Sequence, residues 1–229
     1  MFVAEGSKLV SEILTEDDIR PEAIFATATW IKSNQLNFEK WSQIIFETKD
    51  KDLRKISNLR TPNDVVLVHP FLPVKPPSDK DGWFLYLDRI KDPGNLGTIL
   101  RIAEWFGIMK LFLSPGTVEI YNPKVIQASM GSFMRVPWEY KDFSYLKDAF
   151  PEKQIYLSES KSSENPDLSE IPAGIIVIGN ESDGIARDIY SSPHTVLSVL
   201  AEKGNKADSL NAAVATGILL ALIRYNQIR

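Results

Sequence analysis

Apolar residues along this chain come either in short runs or at every third or fourth position, and the alternation predicts strands interleaved with amphipathic helices. Downstream of residue 82 the strand candidates are 83–87, 111–113, 155–157, Ile175–Ile178 and 196–200. Runs apolar on both faces, spaced by helical stretches, predict an α/β fold with a parallel sheet covered on both sides. Ligands of such sheets bind beyond the carboxyl ends of the strands. Upstream, 7–14 and 50–58 have helical spacing and 23–28, 43–46 and 65–68 are strand-like, which makes a smaller α/β unit. Between the two, residues 70–81 carry four prolines among polar residues, the composition of a linker. The predicted organisation is a first unit over 1–72, a linker over 73–81 and a second unit over 82–229.

The last helix, predicted from Ser209 to about Tyr225, is almost uniformly apolar from Ala212 to Ile223. A helix apolar all round is buried. Because this one ends the chain and is rich in small residues (Ala212, Ala213, Ala215, Thr216, Gly217), it predicts a subunit interface.

Candidate chemistry concentrates in Asp88 to Gly107, D-R-I-K-D-P-G-N-L-G-T-I-L-R-I-A-E-W-F-G. Asp92-Pro93-Gly94-Asn95 ends a buried strand, Ile99, Ile102, Ala103 and Phe106 share one helical face, and Gly107 stands where a helix stops. Arg101 falls off that face. Helical side chains lean toward their own N-terminus, so Arg101 is expected to reach back over Gly97 toward a loop whose free amides favour negative charge, such as an RNA phosphate or a developing oxyanion. Taken alone, it reads better as a solvated surface residue of an ordinary strand-turn-helix. Two more segments have the same strand-then-polar-loop form: Ile175–Ile178 runs into Gly179-Asn180-Glu181-Ser182-Asp183-Gly184-Ile185, and Ala207-Asp208-Ser209-Leu210-Asn211 opens the last helix.

Composition narrows the chemistry. With no cysteine among 229 residues there are no disulfides, thiolate metal sites or cysteine nucleophiles, and only His69 and His194 supply imidazoles. Both lie beside prolines and read as ordinary loop histidines, so no metal site is expected. No apolar run approaches the roughly 20 residues of a membrane span and the N-terminus has no secretory pattern, which predicts a cytoplasmic protein without a membrane partner. A formal charge of −4 opposes nucleic-acid binding through overall positive charge. A local basic face could still be built from Arg20, Lys32, Arg54, Lys55, Arg60, Arg89, Lys91, Arg101, Lys124 and Arg135.

In order, D-x-I-x-D-P-x-N-L-G-x-I-x-R-x-A-x-x-F-G, G-N-E-x-x-G-I and S-L-N-x-x-V-A resemble the three motifs of the SpoU (TrmH-like) RNA ribose 2'-O-methyltransferases of the SPOUT superfamily. That resemblance implies a deep trefoil knot in the C-terminal unit, S-adenosyl-L-methionine as methyl donor, an rRNA or tRNA substrate and a homodimer formed through the knotted domain and the C-terminal helix. It implies a donor pocket lined by Gly179, Asn180, Glu181, Val199, Leu200, Ser209 and Leu210. Arg101 would be the principal catalytic residue, with Asn95, Glu181, Ser209 and Asn211 orienting ribose, donor and loop backbone. The opening E-G-x-K-L-V-x-E-I-L and the segment L-x-K-I-S-x-L-x-T-P are similar to the L30e-type accessory domain of the family, which implies RNA capture; a packing or dimerisation module is the other reading. Two departures stand out: no proline precedes the third motif, and Gln127 stands where arginine is usual. They leave open a non-catalytic RNA-binding protein of the same fold. An oxidoreductase using Gly94 and Gly97 in a dinucleotide turn is the third reading, although G-x-G-x-x-G is absent.

Overall fold

The computed structural model describes residues 1–34, 39–57, 59, 63–76, 81–160, 165–202, 204 and 206–228. A four-stranded sheet in the order β1-β4-β2-β3 is built from β1 (Phe2–Glu5), β2 (Ala23–Ala26), β3 (Ile45–Glu47) and β4 (Val65–His69), accompanied by α1 (Ser7–Thr15), α2 (Ala28–Asn34) and α3 (Asp50–Ile56). A six-stranded sheet follows. Its strands are β5 (Phe84–Leu87), β6 (Lys110–Leu113), β7 (Trp138–Tyr140), β8 (Ile155–Ser158), β9 (Ile175–Ile178) and β10 (Thr195–Leu197), in the order β10-β8-β9-β5-β6-β7 and all parallel. The helices are α4 (Pro93–Trp105), α5 (Pro123–Ser129), α6 (Ser132–Arg135), α7 (Phe143–Ala149) and α8 (Ala212–Gln227).

The predicted strands occur within a residue or two at each end, apart from 196–200, which stops at Leu197. The short β1, β7 and α2 escaped prediction because three to seven residues carry too little period to register. The central strands β5 and β9 are buried throughout. On β5, Leu85 and Leu87 join one hydrophobic cluster while Phe84 and Tyr86 join another, the two faces of one sheet. The first cluster also takes in Phe2, Leu9, Ile24 and Leu67 of the smaller sheet, so one buried mass runs through both. Arg135 reinforces the junction: its guanidinium meets Glu12 at 3.0 Å and Glu16 at 3.2 Å on α1 and Glu104 at 2.5 Å on α4. The same arginine holds the Glu104 carboxyl below its ordinary pKa.

His69 is corrected by the structure. It ends β4 instead of lying in a linker, and it is buried, its Nε2 accepting the Arg20 amide at 3.0 Å while Nδ1 faces the Pro70 carbonyl at 2.6 Å. Burial pushes its pKa down. It is a neutral structural imidazole.

The helix that carries the first motif is specified at both ends. Asp92 caps it by accepting the Asn95 amide at 2.8 Å, and Pro93 occupies the first turn, where no amide partner is needed. At the other end Gly107 turns left-handed at φ 67°, and the Ile108 amide bonds to Ala103 and the Gly107 amide to Glu104, a Schellman closure. Gly97 is where α4 meets α5: a Cβ there would lie 2.5 Å from the Ala128 Cβ and 2.8 Å from the Val125 carbonyl oxygen. This contact also removes the basis for a dinucleotide turn at Gly97, since helix α5 occupies the space a phosphate would need. Gly97→Ala should therefore force α4 and α5 apart and cost about 1–3 kcal/mol, read as a lower urea midpoint at unchanged slope.

Candidate functional site

Three distant segments converge at the carboxyl ends of β8, β9 and β10. The loop after β9 is a tight hairpin in which Asn180 and Gly184 exchange backbone hydrogen bonds at 3.1 and 3.0 Å, with Gly184 at φ 66°. Its Asn180 Oδ1 accepts the amides of Ser182 and Asp183, and Nδ2 donates to the Arg89 carbonyl at 2.7 Å. The end of β5 buckles this hairpin from outside. Buried Asp88 pairs with the Arg89 guanidinium through two 3.0 Å contacts and accepts the Ala186 amide at 2.7 Å, while Arg89 also donates to the Gly184 carbonyl at 3.1 Å. Arg89 adopts φ 54°, a conformation costly for a side chain with a Cβ, and these contacts hold it there.

The inner side of the hairpin meets the other two motifs. Asn211 caps α8, its Oδ1 accepting the Ala213 and Val214 amides at 3.0 and 3.2 Å. With that oxygen engaged, its Nδ2 must face Asn95, and it donates to the Asn95 Oδ1 at 2.7 Å. The Asn95 Nδ2 then donates to Glu181 at 2.6 Å. The polarity of this relay runs one way and ends on a carboxyl oxygen that accepts.

Beside the relay opens a cavity of about 400 Å³. Gly179, Asn180, Glu181, Val199, Ser209 and Leu210 line it, with Ser209 and Leu210 on the segment that precedes α8 instead of inside the helix. Leu200 is corrected: it is 52% exposed and forms no part of the wall, because the strand that was to place it stops at Leu197. Ser158, Glu159, Ser160, Tyr190 and Asp208 line the cavity without having been predicted. The rule that strand ends carry the site would have found the first three, which follow β8; nothing marks Tyr190. The walls combine apolar side chains such as Ile178, Ile185 and Leu219 with three carboxylates and, among the described residues, no basic one. Such a site suits a ligand with a flat apolar ring and positive charge, and it would repel a dinucleotide pyrophosphate.

Arg101 is not brought to this cavity. It is exposed and, among the described residues, has no hydrogen-bond or ion-pair partner. Helix geometry explains its place: six residues after Asn95, it lies about 240° further round α4. It shares its stripe with exposed Thr98 and with Trp105, which is 84% exposed. Among the described residues there is no group of three or more metal-ligating side chains, and no helix is long and apolar enough to cross a membrane.

The relay makes a stability prediction. Asn211→Ala removes the cap and should cost about 1 kcal/mol in urea denaturation, and Asn211→Asp, which keeps the cap but sets a second oxygen against the Asn95 Oδ1, should recover only part of that loss. An alanine variant as stable as the parent would mean that the cap contributes nothing.

The model of the SpoU rRNA Methylase family matches residues 82–221. The chain is 26% identical over 226 residues to the 23S rRNA (guanosine(2553)-2'-O)-methyltransferase RlmP of Bacillus subtilis, covering 97% of this chain and 88% of that one. A TrmH-family protein from Porphyromonas gingivalis superposes with a TM-score of 0.77 at 29% identity, over 96% of this chain and 88% of that one. The AdoMet-bound rRNA methyltransferase of Sinorhizobium meliloti shares the fold, with a TM-score of 0.78 at 24% identity over 98% and 87% of the two chains. With the match spanning all three motifs, this chain belongs to the SpoU rRNA methylase family.

Proposed function

We propose that the protein methylates a ribose 2'-hydroxyl of structured RNA, rRNA or tRNA, using S-adenosyl-L-methionine held in the cavity described above. The observation that carries this reading is that the three motifs, 86 and 116 residues apart along the chain, are joined by two side-chain hydrogen bonds at the rim of one acidic cavity. The apolar walls suit the adenine, and the carboxylates suit the donor's positive charge. When bound, the donor supplies an electrophilic methyl group. The chain's own task is then positioning and charge stabilisation. Glu181, Asn95 and Asn211 keep the motif loops in register, and Ser209 offers a hydroxyl at the wall. Arg101 is always protonated and so cannot serve as a base; its role in this reading is to grip the target phosphate and offset the developing charge on the 2'-oxygen.

For Arg101 to meet the donor, a second surface must be brought to it, and the reading therefore includes a homodimer. What supports it is the exposed apolar surface of the last helix: Val214 is 50% and Tyr225 57% exposed, and α8 packs on α4 where Gly217 faces Ile102. A copy seated there would also cover Trp105. The trefoil knot belongs to the same reading, supported by the return of α8 to α4 while the segment leading into it lines the cavity with the β9 hairpin. RNA capture is assigned to a few free cations. Arg135, Arg89, Arg20, Lys55 and Lys91 are tied to partners within the protein, which withdraws them from the predicted basic face, and Arg60 lies outside the described residues. Lys32, Arg54, Arg101 and Lys124 are exposed and have no side-chain partner among the described residues. The intact relay speaks against a non-catalytic member of the fold.

Arg101→Ala should lower methyl transfer to ribosomal RNA at least about 100-fold while leaving calorimetric binding of S-adenosyl-L-methionine unchanged. Normal turnover in that variant would remove the assignment, and mapping of 2'-O-methyl groups in RNA from cells with and without the gene identifies the nucleotide.

A further inference from the structure

Three carboxylates, Glu159, Glu181 and Asp208, face the donor cavity, and they are not equivalent. Glu181 is engaged by Asn95 and, like Asp208, is exposed. Glu159 is the half-buried one. Its backbone is pinned to the end of β10, its amide donating to the Leu197 carbonyl at 3.0 Å and its carbonyl accepting the Ser198 hydroxyl at 2.6 Å. Tyr190 stands on the same wall, where burial and then the neighbouring Glu159 carboxylate push the pKa of its hydroxyl up. Among the described residues, no lysine, arginine or histidine lines the cavity to neutralise Glu159.

We propose that Glu159 is the residue by which this pocket distinguishes methyl donor from spent product: its half-buried carboxylate retains the positively charged S-adenosylmethionine and lets go of neutral S-adenosylhomocysteine. The inference rests on the cofactor reading above. Donor and product differ by one methyl group and one positive charge, and the methyl contributes little to affinity compared with a charge held near an opposite one. A half-buried carboxylate is screened less than an exposed one, so among the three Glu159 has the strongest hold on that difference. The arrangement gives an enzyme with a buried donor pocket a way to empty it after turnover without moving the buckled hairpin.

The test is calorimetry on the full chain at low salt with S-adenosylmethionine, S-adenosylhomocysteine and sinefungin, which carries an ammonium in the region of the sulfonium. The parent protein should bind the two cationic ligands more tightly than the neutral one. In Glu159→Gln, which keeps the size of the side chain and removes its charge, affinity for both cationic ligands should fall roughly fivefold while that for S-adenosylhomocysteine stays within about twofold. Equal weakening of all three ligands, or an unchanged ratio, overturns the proposal. Should the variant not fold, the parent protein decides alone: a cation preference that shrinks as salt is raised supports the proposal, and no preference, or one insensitive to salt, overturns it. If none of the three ligands binds the parent, the cofactor reading itself has failed and the inference falls with it.

Discussion

The site hangs on the direction of one hydrogen-bond relay. The Asn211 oxygen is committed to two amides of α8, and this fixes the orientation of its amide, then that of Asn95, whose Nδ2 is left to meet the Glu181 carboxyl oxygen. Each bond contributes only about 1 kcal/mol net, but Asn95 is 8% exposed, and an amide of that burial turned the wrong way would present oxygen to carboxylate and lose both partners. The start of α4, the start of α8 and the β9 hairpin are consequently one polar unit. Packing fixes it from beneath, where Gly97 lets α4 lie against α5, and from outside, where Asp88 and Arg89 buckle the hairpin.

The distribution of charge follows from the same economy of positions. Arg135, Arg89 and the buried Lys110, which meets Glu139 at 2.6 Å, all work inside the protein. These three are withdrawn from any polyanionic partner, and among the described residues no cation lines the cavity. Positive charge is thus kept away from the cavity wall, where it would oppose a cationic ligand, and confined to exposed positions where phosphate can be met.

What could be read from the sequence divides along the same line. Runs buried on both faces, such as Ile175–Ile178, announce themselves because every residue obeys one constraint. Asn95, Glu181 and Asn211 could be named in advance only because the motifs that hold them resemble those of a known family; by local pattern alone their segments read as ordinary turns and caps. Glu159 and Tyr190 could not, since their meeting depends on how far β8 and the turn at Ile189–Ser191 are carried across the sheet, which local sequence does not encode. The end of β10 was misjudged for a related reason: Val199 and Leu200 continue an apolar run whose pairing with β8 has already finished at Ser158. Arg135 read as an available cation because nothing in its own segment reports three glutamates on two other helices.

Arg101 shows where one chain ends as an explanation. On an α-helix, residues six apart cannot face the same wall, so if Asn95 serves the cavity, Arg101 faces elsewhere. A guanidinium left in solvent beside Trp105 has no chemistry of its own, since water screens its charge and nothing orients it. The same stripe becomes useful when another surface excludes that water. The apolar face of α8 borders α4, so the contact that would bury Trp105 and Tyr225 would also desolvate Arg101 and direct it at a ligand. In the proposed dimer, assembly and activation of the arginine are then one event, and a chain unable to pair would keep its relay and its donor cavity while lacking the charge that makes a ribose hydroxyl reactive.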